Sequence, residues 1–507
     1  MTNLYDLLRQ HFPADGHRTA LETPDGQRMR YADLETGSGR IARLLMDCGV
    51  EPGDRVAAQI EKSPEALLLY LAVLRCGAVY LPLNTAYKGA EVAYFLSDAE
   101  PRVLVCTPEN EAVLGDAARK TGVGSLLTLG EAGNGSLVER SRGLDPQVGI
   151  VARDGDDLAA ILYTSGTTGR SKGAMLSHAN LGSNSLTLRD YWGFTGDDVL
   201  IHALPIFHTH GLFVATHCAL LSGSRMLFLN RFDADAVLDL MPRATVLMGV
   251  PTFYTRLLQN PALTKESTRQ MRLFISGSAP LLADTFEAFE ARTGHAILER
   301  YGMTETTMIT SNPLVGKRIA GTVGFALPSI DVRIADEEGR PLPQGEVGVL
   351  EVKGPNVFRG YWRQPEKTAT EFRSDGFFVT GDVAMIDEGG YIHIVGRAKD
   401  LIISGGFNVY PKEIELCIDQ IEGVQESAVI GVPHPDFGEA VVAVVKRGGG
   451  QPEVTAEAIQ AAAKAELANF KVPKKVFFVD ELPRNTMGKI QKNLLRDRFK
   501  DSFSSAA

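Results

Sequence analysis

Cysteine is scarce. The 507 residues contain five, Cys48, Cys76, Cys106, Cys218 and Cys417, and none forms a CxxC pair. An odd count at wide spacing excludes a disulfide framework and a zinc cluster, and fits reduced thiols in the cytoplasm. Long apolar runs are also missing. The longest, Ala66 to Leu74, is closed by Arg75, far short of the roughly 20 residues a bilayer span needs. The amino terminus brings in Asp6 and Arg9 early and has no signal-peptide core. Positive charge is not in excess: 52 Lys and Arg stand against 62 Asp and Glu, a formal charge of −10. That argues against nucleic acid or an anionic membrane as the main partner. No fixed-period repeat is present, which disfavours solenoids and propellers. A cytoplasmic globular protein is expected.

What remains is ordinary globular composition, 44% hydrophobic and 22% charged. The length suggests about three folding units, or one large and one small. Up to about residue 395, helical patterns alternate with short apolar runs. Leu67 to Arg75 reads as a buried helix. Ala78 to Leu83 reads as a strand running into a loop, and Val103 to Val105, Ala159 to Tyr163, Thr245 to Val250 and Leu273 to Ile275 read as buried strands. Strands spaced by helices predict an α/β fold with mostly parallel sheets. From about 320 to 395, short strands such as Val332 to Ile334, Val347 to Val352 and Tyr391 to Val395 are separated by Gly, Pro and Asp turns, a β-rich subregion. The rest alternates again and predicts a small α+β domain. The expected division is 1–398 and 399–507. Residues 471–500 carry nine Lys or Arg against three acids, either a solvated face or a surface that attracts phosphates.

The most informative stretch is Tyr163-Thr-Ser-Gly-Thr-Thr-Gly-Arg-Ser-Lys-Gly173. It follows a predicted strand. Glycines let backbone N–H groups crowd an anion, and hydroxyls and a lysine add donors. The spacing is not that of the G-x-x-x-x-G-K-[ST] loop. With Ser276-Gly-Ser-Ala-Pro280, Arg300-Tyr-Gly-Met-Thr-Glu-Thr306, Tyr361-Trp362, Thr380-Gly-Asp382, Gly396-Arg-Ala-Lys-Asp400 and Pro483-Arg-Asn-Thr-Met-Gly-Lys489, it resembles the ATP-dependent adenylate-forming superfamily of acyl-CoA synthetases, peptide-synthetase adenylation domains and luciferases. The resemblance covers nearly the whole chain. It implies a large amino-terminal α/β part and a small mobile carboxy-terminal lid. It also implies that a carboxylate and ATP give an acyl-adenylate and pyrophosphate, followed by thiolysis with coenzyme A.

The resemblance also implies roles. Thr164, Ser165, Gly166, Thr167, Thr168 and Lys172 would hold the phosphates. Thr164 and Glu305 would position Mg2+, a hard cation that takes oxygen ligands, and Thr304 would bond the α-phosphate. Tyr301 would stack on adenine beside Gly277, Ser278 and Ala279, with Gly302 and Met303 also binding ATP. Asp382 would accept the ribose hydroxyls and Arg397 would add a donor. Lys489 would bridge the reacting carboxylate and the α-phosphate. Lys399 stands at the hinge position, and Ser404, Gly405 and Gly406 at the coenzyme A tunnel.

Substrate choice is expected from Leu204-Pro-Ile-Phe-His-Thr-His-Gly-Leu212 and two arginines, Arg256 and Arg300. A buried arginine without a carboxylate is costly, so arginines facing an acyl pocket call for a second negative group on the acid. The combination looks like that of malonyl-CoA synthetases. Thr209 and Met308 would then border C2 of malonate or methylmalonate, and His208 would donate to the distal carboxylate. Arg318 ranks as a third candidate. A salt bridge of Arg300 with Glu299 is the competing structural reading. Ligation of another short or aromatic acid, loading of a carrier protein, and a non-catalytic nucleotide-binding protein on the same fold are the functional alternatives. Acetylation of Lys489 by an acetyltransferase, with a deacetylase to reverse it, is an expected regulation.

Overall fold

The computed structural model describes residues 3–164, 171–404, 407–448, 454–485 and 488–503. The chain divides into two compact units. One is Met1–Asp331 with Val352–Phe378, and the other is Val332–Glu351 with Val379–Ala507. The contact division thus groups only part of the β-rich subregion, Val332–Glu351 and the segment from Val379, with the carboxy-terminal part. This division differs from the expected domains 1–398 and 399–507.

The first unit is α/β, as the alternating pattern predicts. Among the described residues it holds two large sheets. In the six-stranded sheet, Ser125–Thr128, Val103–Cys106, Arg55–Gln59, Val79–Pro82 and Leu158–Thr164 run parallel in that order. Val103–Cys106 and Val79–Pro82 are buried at every position, as strands covered on both faces must be. The all-apolar run lies in helix Pro64–Arg75. Ser63 caps it by accepting from the Ala66 N–H, and Pro64 takes the first turn, where no donor is missed. Its residues Ala66 to Leu74 are all buried, because helices Leu4–Gln10 and Tyr31–Asp47 pack on it.

The sixth strand, Lys172–Ser177, is antiparallel to Leu158–Thr164, with Thr164 opposite Lys172. The described ends of the glycine-rich stretch, Tyr163 with Gly173 and Thr164 with Lys172, are therefore paired strand residues. A phosphate loop that opens a helix is built differently.

In the nine-stranded sheet the parallel run is Thr19–Glu22, Arg225–Phe228, Val199–His202, Val246–Gly249, Leu273–Ser276 and Leu298–Met303. The last strand turns back antiparallel through Thr307–Ser311. The carboxyl ends of these parallel strands open on one side, where α/β sheets bind ligands.

The second unit contains a four-stranded sheet ordered Asp331–Ala335, Gly348–Lys353, Phe378–Ile386, Ile392–Arg397. A five-stranded sheet is built on the long antiparallel pair Val424–His434 and Gly438–Arg447, with Lys475–Val479 added in parallel. Val429, Val441 and Ala443 join Ile414 and Ile418 in one hydrophobic cluster, and Ala428, Val442 and Val444 join Leu495 in another. The two sets alternate along the strands, as opposite faces of a sheet require. Among the described residues no helix is long and apolar enough to cross a membrane. All five cysteines are free.

Candidate active site

In the first unit, the expected site residues collect at the carboxyl ends of the parallel strands. Arg300, on Leu298–Met303, is 2% exposed. Its Nε and Nη2 are buried with no hydrogen-bond partner in the protein. Its neighbour in the chain, Glu299, spends one carboxylate oxygen on the Leu281 N–H at 3.0 Å. Successive strand residues point to opposite faces, so adjacency in sequence does not make these two a pair. Burial pushes the Arg300 guanidinium down to about 9, and attraction to Tyr254 and Glu299 only partly opposes it. Gly277 makes room for this side chain: a Cβ there would lie 2.5 Å from Arg300 Cζ.

His210 is the imidazole that the fold brings to Arg300. It is buried, its Nδ1 lies 3.2 Å from Ser278 Oγ, and its Nε2 has no partner. Burial holds it well below the usual histidine range, and the Arg300 charge adds to that. It is therefore neutral at pH 7. His208, the expected donor, is only half-buried and its Nδ1 accepts from the His210 N–H at 3.4 Å. Thr209 Oγ1 and Ser276 Oγ, on the flanking segments, are also buried without partners.

Met308 is buried, and its backbone is clamped by Asn184, which donates to its carbonyl at 2.8 Å and accepts from its N–H at 3.1 Å. Met308 Cε lies against Gly302.

Two arginine expectations need correction. Arg256 is exposed on helix Pro251–Gln259, whose buried face is Phe253, Tyr254 and Leu257. The helical repeat turns it away from that face. Arg318 donates to the carbonyls of Pro313, Ala296 and Leu314 at 3.1, 2.6 and 3.0 Å, which makes it a strut for the backbone.

The nucleotide end is built on the turn between Leu298–Met303 and Thr307–Ser311, which carries Thr304 and Glu305. Tyr301, Gly302, Met303 and Thr304 are half-buried there, and Ser278 and Ala279 are half-buried after strand Leu273–Ser276. Glu305 is buried and its Oε1 accepts from the Tyr361 hydroxyl at 3.0 Å. That Tyr361 contact had no signal beyond the Tyr361-Trp362 motif. Thr164 ends its strand, half-buried. Ser165, Gly166, Thr167 and Thr168 lie outside the described residues.

Lys172 occupies an unexpected place. It is buried, 3.8 Å from Glu371 Oε1, with its Nζ 4.8 Å from the centroid of the Tyr361 ring. Burial lowers its amine, with Lys367 adding to the effect and Glu371 and Glu305 opposing it. Among the described residues no group of three or more His, Cys, Asp or Glu could cage a metal. A magnesium ion at Glu305 and Thr164 would then complete its shell with phosphate and water oxygens, its usual habit. A buried carboxylate and a hydroxyl are oxygen donors of the right hardness.

In the second unit, Asp382 is buried and pairs with Arg397 Nε at 2.6 Å, across from it on the neighbouring strand. The Asp382 N–H donates to Thr380 Oγ1 at 3.0 Å. Lys399 is exposed in the turn Ala398–Asp400, which is tied down by Arg496 on Asp400 at 2.9 Å. Ser404 is buried in Ile402–Ser404, opposite Phe407, while Gly405 and Gly406 lie outside the described residues.

Lys489 is exposed, at the end of a loop whose described ends are paired. The loop is closed by the Arg484–Ile490 bridge, by the Lys489 N–H on Asn485 Oδ1 at 2.9 Å, and by the Asn485 N–H on the Lys489 carbonyl at 2.9 Å.

Residues 8–362 match the AMP-binding enzyme family, and residues 413–489 match the AMP-binding enzyme C-terminal domain. A feruloyl-CoA synthase from Amycolatopsis sp is 38% identical over 95% of this chain and 96% of its own. A malonate–CoA ligase from Arabidopsis thaliana is 33% identical over 93% and 85%. ATP-bound MatB from Rhodopseudomonas palustris superposes with a TM-score of 0.97 at 60% identity over 99% of each chain. The chain belongs to the AMP-binding enzyme family, as an adenylate-forming acyl-CoA ligase.

Proposed function

We propose that this ligase takes malonate, with methylmalonate as the next candidate, and makes malonyl-CoA with release of pyrophosphate and AMP. The observation that carries the reading is the Arg300 guanidinium, buried with two unpartnered nitrogens among other unpartnered donors. Holding such a charge in the core costs several kcal/mol unless something answers it. A distal carboxylate answers it with two parallel charge-assisted hydrogen bonds. His210, neutral, offers its Nε2 beside it, a role the residue reading had given to His208. Thr209 and Met308 border C2 and set whether a methyl group fits. Similarity to a malonate–CoA ligase from Arabidopsis thaliana supports the same substrate. The feruloyl-CoA synthase relative marks how far substrates diverge at this level of identity.

In the first step one oxygen of the reacting carboxylate attacks the α-phosphorus and pyrophosphate leaves. Lys489 neutralises the charge between these two anions and aligns them. Glu305 and Thr164 would hold Mg2+, which would neutralise phosphate charge. Thr304 donates to the α-phosphate, Tyr301 covers adenine, and Asp382 takes the ribose. In the second step the coenzyme A thiol attacks the carbonyl carbon and AMP leaves. Movement at Lys399 brings Ser404, Gly405 and Gly406 to the pantetheine. Acetylation of Lys489 would remove the charge that the first step needs. A cytoplasmic location completes the reading.

A carboxylic-acid panel with ATP, magnesium and coenzyme A, read by thioester mass, tests it. Malonate should exceed acetate, propionate, butyrate, benzoate and ferulate. A flat profile, or a best rate with a monocarboxylate, overturns malonate and leaves acid–CoA ligation standing.

A further inference from the structure

Lys62 stands where lysine is rare. It lies between strand Arg55–Gln59 and the Ser63 cap of helix Pro64–Arg75, and is 5% exposed. No carboxylate opposes its burial. Its Nζ has three close neighbours: His202 Nδ1 at 2.8 Å, the His202 carbonyl at 2.7 Å, and the face of Phe228, 4.2 Å to the centroid.

The far side of the imidazole fixes the hydrogens. His202 Nε2 lies 3.0 Å from the Gly211 carbonyl and 3.0 Å from Thr216 Oγ1, and the Thr216 hydroxyl itself donates to that carbonyl at 2.9 Å. A carbonyl only accepts, so Nε2 carries the hydrogen. Burial and the neighbouring amine hold His202 far below the usual histidine range, so the ring is neutral and Nδ1 is a lone pair. All three neighbours of Lys62 Nζ are then acceptors. An ammonium with three donors satisfies them, whereas a neutral amine would turn its own lone pair on one of them. Burial alone pushes the amine down. The three-acceptor cage pulls the other way, and hydrogen-bond valence favours the charged form.

The carbonyl at the end of this chain belongs to the acid pocket's wall. Gly211 lies in the π-helical segment His210–Thr216, a rare geometry that collects at functional sites. A Cβ at Gly211 would lie 2.0 Å from the Pro205 carbonyl oxygen, so the segment needs glycine there. Just before it stand Thr209 and His210, whose Oγ1 and Nε2 are unpartnered and whose neighbour is Arg300.

We propose that Lys62, acting through His202 and Gly211, positions the Thr209–His210 wall of the acid pocket and places a second buried positive charge behind it, so that the pocket selects acids with a second negative group. The inference rests on the diacid reading above. Lys62 touches no substrate in this account and is a positioning residue.

Lys62→Met tests it. The KM for malonate should rise about tenfold or more, the scale of losing an answering buried charge. The KM for ATP and the kcat/KM for propionate should stay within about threefold, because neither depends on the second negative group. The thermal midpoint should hold or rise, since an apolar side chain replaces a buried charge. His202→Phe should raise the malonate KM in the same way. His202→Gln, which keeps one acceptor and one donor, should recover at least part of that loss. A folded Lys62→Met with unchanged malonate KM overturns the proposal, as does an equal loss for malonate, propionate and ATP. If Lys62→Met does not fold, equal behaviour of the two His202 variants overturns it. A wild-type enzyme that prefers another acid overturns the diacid reading first. The positioning claim is then read from the KM of that acid in Lys62→Met, and fails if it is unchanged.

Discussion

The Arg300 pocket and the Lys489 loop carry the same type of charge in opposite settings. Arg300 is buried, and the protein answers neither Nε nor Nη2. Lys489 is exposed, and its loop is held by hydrogen bonds between its own backbone and Asn485. A buried, unanswered cation is a standing cost that only a ligand of the right charge removes, which makes it a device for selection. An exposed cation on a locally braced loop costs little at rest. It gains strength only when water is excluded around it, which makes it a device for a single step. Selection and chemistry can then be altered separately.

Lys489→Ala is expected to show the largest effect. Acid-dependent ATP–pyrophosphate exchange should fall by about 10³-fold, the scale of removing a preorganised donor. Thioester formation from supplied acyl-adenylate should survive. Normal exchange would take Lys489 out of the mechanism. Next comes Arg300→Ala, with the malonate kcat/KM down about 100-fold, as for other buried charged contacts, and calorimetric ATP binding kept. If kcat alone fell while KM held, Arg300 would act in the transition state and the contrast with Lys489 would break.

A smaller effect is expected from Asp419, in the second unit. Its Oδ1 is buried without a partner, and burial pushes the carboxyl up to about 7. Between the unfolded value near 4 and 7, the native state keeps a proton that the unfolded state has lost. Stability should therefore fall as pH rises through that window and level off above it. Asp419→Asn should flatten the melting profile and raise the midpoint at pH 8 by about 3 °C. An unchanged slope would show that the carboxyl is solvated. The smallest effect is expected from Arg256→Ala, less than about twofold on the malonate KM, as for other exposed positions. A tenfold loss would return Arg256 to the pocket.

Much of this was legible in the residue order. The all-apolar helix around Leu69 and the strand Val103–Cys106 declare themselves by period and β-branching. Glu305, Asp382 and Lys489 stand inside motifs long enough to be specific. The expectations that the structure places differently share one feature. Arg256 and His208 were chosen because they sit in the right segments, and segment membership says nothing about which way a side chain turns. Lys172 was assigned to phosphate because it closes a glycine-rich loop. The structure places it on strand Lys172–Ser177, with Tyr361 and Glu371 as neighbours. Lys62 had no motif to mark it, and His210 stood in the His208-Thr209-His210 run without a role of its own.

The order of residues alone determined the class of protein and its reaction type, because those depend on local patterns: strand and helix periods, turn glycines, and short runs of chemically matched donors. Only the tertiary structure decided which acid-end groups are buried and left without partners. That property arises where distant strands and loops converge, Gly277 beside Arg300 and Ser278 beside His210, and no local pattern encodes whether a polar atom ends with a partner or waits for one.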